Sequence, residues 1–118
     1  MELMKLREAR LWSLANGLTA FSVAQTYAFL FAMGNEEFAQ QVASAGPLAL
    51  VLTVLFCAGL VFLVWHLGDN GIEAVNLFEE NEDQREPLVK LWRQSGSIRI
   101  AILILTHGFA AWVLSEIQ

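Results

Sequence analysis

The sequence is short of charge, of cysteine and of basic clusters, and each shortage narrows its class. Only 16% of the 118 residues are charged, against ~25% in typical soluble domains. A single cysteine, Cys57, excludes a disulfide scaffold. The net charge of -5 and the lack of any Lys/Arg cluster argue against a nucleic-acid partner. No nucleotide-binding loop, zinc pair, nucleophile elbow or catalytic triad is present, so the chain is not expected to be an enzyme acting alone. No internal repeat is visible. Disorder is excluded from the other side, by a hydrophobic content of 56%.

What the chain does have is long apolar stretches. A bilayer core of ~30 Å needs about 20 mostly apolar residues as a helix. Three segments meet or approach that length: 11–33, 47–65 and 98–114. The first lacks charge but carries Ser13, Asn16, Thr19, Ser22, Gln25 and Thr26. The second has no polar face for water, which a helix of a soluble bundle needs. The third holds Arg99 at its start and His107 near its middle. A basic start and the small residues around Ala32-Met33-Gly34 give the first segment a signal-peptide flavour. Its apolar stretch exceeds the usual ~7–15 residues, so it reads as a retained helix. Gly46-Pro47 opens the second span. Gly68 to Gly71 punctuate its end, and Ser95 or Ser97 is placed to cap the third.

The expected fold is therefore all-α, one membrane domain over residues 1–118 with three transmembrane helices. The seven Lys/Arg residues set its orientation. Lys5, Arg7 and Arg10 precede the first span; Arg85, Lys90, Arg93 and Arg99 lie in the second loop or at its edge. The positive-inside rule then puts the N-terminus and the 68–97 loop in the cytoplasm, and the short connecting loop 34–46 and the C-terminus outside. The expected location is a bacterial inner membrane. Trp12 and Trp65 are expected at the cytoplasmic interface and Trp112 near the outer one.

Span one carries Ala20, Ala24, Ala28 and Ala32 at four-residue spacing, with Asn16 one turn earlier. Such a ridge allows close helix approach, and packing within the chain is expected ahead of contact with another subunit. Gln25 is expected to hydrogen-bond across a helix interface. The polar residues of span one step by three and wind around the helix, which disfavours a pore-lining face.

The second loop is acidic, with Glu79, Glu80, Glu82 and Asp83 clustered at its centre. Ile72, Val75 and Leu77 continue span two as a short helix, and Pro87 starts another containing Leu88, Leu91 and Trp92. The expected form is an amphipathic helical hairpin on or under the membrane, its acidic tip facing the cytosol and Trp92 entering the interface. Glu79, Glu80, Glu82, Asp83 and Trp92 are the candidate partner-binding residues.

His107 lies near the bilayer midplane, where an ionisable residue is a functional candidate. Structural packing is the first expectation for it. Haem is the one cofactor for which it offers a ligand, with His66 too far along an antiparallel helix to share the iron. A metal set of His66, Asp69, Asn70 and Glu73 matches no known signature, and no metal is expected.

Three functions compete. The favoured one is a small non-enzymatic membrane subunit that anchors, assembles or regulates a larger complex. Its partners would be the bilayer and a membrane or cytoplasmic protein, or further copies of itself. The second is a self-assembling pore or channel-type effector. The third is a haem-binding membrane anchor of a respiratory complex, a class of similar size and layout whose ligand motifs are absent here.

Overall fold

The structure, a computed structural model, describes residues 2–117; of Glu2, Leu3, Met4 and Phe78 it describes the backbone alone. Four helices account for nearly all of it: α1 (Glu2–Ala32), α2 (Glu36–Ser44), α3 (Pro47–Phe78) and α4 (Glu82–Ile117). No strand occurs among the described residues. The three long helices pack side by side into a rod of 58 × 18 × 17 Å. α3 and α4 are both long and apolar enough to cross a membrane. α1 falls short of that class, because Asn16, Gln25 and the hydroxyl residues Ser13, Thr19, Ser22 and Thr26 interrupt its apolar stretch.

The surface is largely apolar, and the mainly apolar core admits several polar side chains. The buried residues include Thr19, Ser22, Arg99 and His107. Leu52, Leu55, Phe56, Phe62, Leu105 and Phe109 are among many large apolar side chains on the outside. Water penalises such a continuous apolar belt, and lipid does not. The hydroxyls of buried Thr19 and half-buried Thr26 are satisfied because each bonds back one turn. Thr19 Oγ1 donates to Ala15 O and Thr26 Oγ1 to Ser22 O, both at 2.8 Å.

The buried positions follow the 3-4 spacing of a coiled-coil seam: Leu11, Ala15, Thr19 and Ser22 on α1; Leu60, Val64, Gly71 and Val75 on α3; Trp92, Arg99, Leu103, His107, Ala110 and Leu114 on α4. α1 and α4 run parallel in one register. Glu8 meets Trp92, Asn16 meets Arg99 and Ser22 meets His107, at sequence offsets of 84, 83 and 85.

Several boundaries differ from expectation. α3 runs through Gly68–Gly71, and α4 runs from Glu82 through Pro87 and Ser95–Ser97 without a break. Gly71 faces a neighbouring helix instead of ending its own. Gly71 is buried, and a Cβ there would overlap the Trp92 ring. The hairpin is consequently a coaxial extension of the bundle, not a separate pair of helices lying across it. Its length confirms this, since 58 Å is almost twice a bilayer core. The segment expected as a short outer loop contains α2. Its start is set by Asn35, whose side chain accepts from Phe38 N at 3.1 Å, with Glu36 and Glu37 in the first turn. Phe38 packs edge-on against Phe29, centroids 5.8 Å apart. Gly46 then takes φ 66°, a value costly for any side-chain-bearing residue, and turns the chain into Pro47 at the start of α3.

Candidate functional site

The most unusual chemistry in the bundle lies where α1, α3 and α4 meet below the hairpin. Arg99 projects from α4 into this junction and is only 5% exposed. Its Nε donates to Asn16 Oδ1 at 2.8 Å. Its guanidinium carbon lies 4.6 Å from the Trp12 ring centroid and 5.8 Å from that of Trp92. Two indoles thus solvate the cation with their negative faces. The rings pack together at 4.4 Å and 32°. Trp92 Nε1 donates to Glu8 Oε1 at 3.2 Å, so the nearest α1 carboxylate already serves an indole. Both Nη atoms of Arg99 are closed off from solvent, and neither has a partner.

The junction follows from spacing. Glu8, Trp12 and Asn16 recur every four residues on α1, and Trp92 and Arg99 lie seven apart on α4, so each set shares one helix face. Gly71 on α3 leaves the room for the Trp92 ring. A groove of about 600 Å³ opens beside Arg99 between α1 and α4. Trp12, Asn16 and Ser95 line its end nearer the hairpin, and Val23, Ala24 and Ile102 its other end.

Trp92 is a correction. Expected in an interface or against a partner, it is 1% exposed and the largest fully buried side chain. Trp12 likewise packs on Trp92 and Arg99 and is half-buried. The alanine ridge is a second correction. Ala20, Ala24, Ala28 and Ala32 are all exposed, as is Gln25, and the chain's own packing uses the face through Leu11, Ala15, Thr19 and Ser22. Asn16 keeps an exposed flank yet holds Arg99. The acidic group stands at the hairpin tip, with Glu80, Glu82 and Asp83 exposed and Glu79 half-buried. Arg85, the nearest cation in sequence, spends its Nε and Nη2 on the Glu79 carbonyl oxygen, at 3.0 and 2.8 Å, which closes the end of α3.

His107 is buried, at 4% exposure. Its Nδ1 lies 2.8 Å from Leu103 O, an atom that can only accept, so Nδ1 carries a hydrogen. Nε2 faces Ser22 Oγ at 3.4 Å. Phe56 lies 6.0 Å away, centroid to centroid, and a groove of about 570 Å³ that includes Gln25, Thr26 and Thr53 adjoins the ring. Iron binding at Nε2 would have to displace the Ser22 contact. His66 is exposed, stacked on Phe62 one turn back. Among the described residues no group of three His, Cys, Asp or Glu side chains is placed to hold a metal. Cys57 Sγ sits 3.8 Å from Leu103 O, within the α3–α4 contact.

Arg99 was legible only as a positive-inside charge; its burial and its Asn16 partner depend on the α1–α4 register. The available hint was a charged residue one turn inside an apolar helix, with an amide at a similar depth on another. Comparison with protein-family models, with characterised proteins and with solved structures gives no match to this chain.

Proposed function

We propose that the chain is a small non-enzymatic integral membrane subunit, spanning a bacterial inner membrane three times, that docks a soluble basic partner on its acidic hairpin. The observation that carries the reading is the outer surface, a belt of large apolar side chains around a core that also admits Thr19, Ser22, Arg99 and His107. α3 and α4 cross with their apolar stretches, and α1 crosses beside them, with Thr19 and Ser22 turned to the interior and Asn16 bonded to Arg99. With Lys5, Arg7, Arg10, Lys90 and Arg93 all toward the hairpin end, that end faces the cytoplasm.

The extension of α3 and α4 then acts as a stalk. It carries Glu79, Glu80, Glu82 and Asp83 away from anionic lipids, which would repel them. Rigid helices behind the tip lower the ordering cost of docking. The outward ridge of Ala20, Ala24, Ala28 and Ala32 is available to a helix of the larger complex or to another copy. Buried Leu60, Val64, Leu103 and Leu114 fill the axis of the single chain, which favours an anchoring role over a pore within one copy.

The test is replacement of Glu79, Glu80, Glu82 and Asp83 together by serine in the native host. Membrane insertion should be unchanged while a soluble partner is lost from the purified complex. Retention of every partner would sink the docking role.

A further inference from the structure

Arg99 holds a charge that the chain does not neutralise. A guanidinium has five N–H donors, and here Asn16 takes one. Two indole faces contribute cation–π attraction, but the four N–H groups of the Nη atoms meet no acceptor. A buried charge left without acceptors is strongly disfavoured. Among the described residues no carboxylate pairs with it, and Glu8 is engaged by Trp92. That leaves the place open to an acceptor from outside the chain.

From the groove beside Arg99 we infer a binding site for an anionic membrane lipid, its phosphate held by Arg99 and an acyl chain lying along α1 and α4. The inference rests on the membrane reading above. Three observations choose this ligand. The groove is polar at one end, around Asn16, Ser95 and Arg99, and apolar at the other, around Val23, Ala24 and Ile102. Ser95 and Ile102 are two turns apart on α4, so the groove runs along the axis for roughly 10 Å. Its polar end lies toward the hairpin, at the depth of Trp12, where indoles and lipid phosphates meet at an interface. Inorganic phosphate would use only the polar end and leave the apolar walls bare. Two Nη groups can grip phosphate oxygens in a fork. Both are closed off from solvent as the side chains stand, so binding of the phosphate requires Arg99 or Trp12 to rearrange.

The protein is reconstituted in nanodiscs of phosphatidylcholine mixed with phosphatidylglycerol, and retained lipids are counted by native mass spectrometry. Wild type should retain phosphatidylglycerol in preference to phosphatidylcholine. Arg99→Gln should weaken that retention about tenfold or more, the factor equal to ~1.4 kcal/mol. Because Arg99→Gln could disturb the bundle, Ala24→Phe is the companion variant. It keeps Arg99, fills the apolar wall from an exposed position, and should also lower retention. Equal retention of the two lipids, or unchanged retention in both variants, overturns the proposal. Displacement of the lipid by millimolar inorganic phosphate would identify a free-phosphate site and overturn it too. Loss of a protein subunit from native membranes in Arg99→Gln, with lipid retention unchanged, would assign Arg99 to a partner's carboxylate instead. Failure to enter bilayers of either composition refutes the membrane reading itself.

Discussion

Substituting Gly71 by alanine probes the close packing of α3 against Trp92 on α4. A Cβ at this position would overlap the Cε2, Cζ2 and Cδ2 atoms of Trp92. The ring cannot slide away, because Trp12 backs it at 4.4 Å and Glu8 holds its Nε1. Overpacking of this kind costs about 1–3 kcal/mol. Alanine recovers about 1 kcal/mol of helix propensity over glycine, leaving a net loss of up to about 2 kcal/mol for Gly71→Ala. Two comparisons isolate the steric part. Gly68→Ala, three residues earlier on α3, meets nothing within 4 Å. It should stabilise by about the propensity gain alone. Trp92→Ala should itself cost about 3–5 kcal/mol. In that background Gly71→Ala should change sign and stabilise by about 1 kcal/mol. Equilibrium unfolding in mixed detergent micelles, followed by helical circular dichroism, measures all four variants. An identical Gly71→Ala effect with and without Trp92 would refute the packing of α3 against α4 described here.

Asn16→Leu removes the one hydrogen-bond acceptor of a buried guanidinium and should destabilise by about 1.5–3 kcal/mol in the same assay. Asn16→Asp instead supplies a carboxylate at that place, so it should be much less harmful and should reduce the retention of anionic lipid by competing for Arg99. Protein purified from its own host should lack a haem absorption band. A band that disappears in His107→Ala would show that Nε2 abandons Ser22 for iron and would replace the anchoring role with a redox one. High expression should leave membrane potential, read with a voltage-sensitive dye, unchanged; dissipation that depends on the polar residues of α1 would support a pore.

The helical class and the two strongest spans were legible because they rest on local quantities. An apolar run from Pro47 to Trp65 without a polar face has few other uses, and α3 bears it. Boundaries were less legible. Gly68–Gly71 and Ser95–Ser97 look like breaks, since glycine costs about 1 kcal/mol in a helix. That cost is offset at Gly71 by the fit of Trp92, a partner supplied by another helix. α2 did leave a signal, an Asn followed by two Glu, but the segment was read only as a connection. The alanine ridge shows a different limit. Small residues permit close approach without saying which approach is taken, and here the larger seam of Leu11, Ala15, Thr19 and Ser22 took it. The Arg99 junction was the least legible part. It needs α1 and α4 to run parallel at an offset of about 84 positions, which only tertiary packing sets.

The proposal that the bundle crosses the membrane three times with its hairpin in the cytoplasm is the central claim, and cysteine accessibility tests it most directly. In a Cys57→Ala background, Lys5→Cys, Gln40→Cys and Glu80→Cys each place one thiol at an exposed position near the start of α1, on α2 and at the hairpin tip. A membrane-impermeant maleimide should label only Gln40→Cys in spheroplasts, and only Lys5→Cys and Glu80→Cys in inverted vesicles. Labelling of Lys5→Cys together with Gln40→Cys would mean that α1 does not cross, and labelling of all three in both preparations would mean that the bundle does not span a membrane at all.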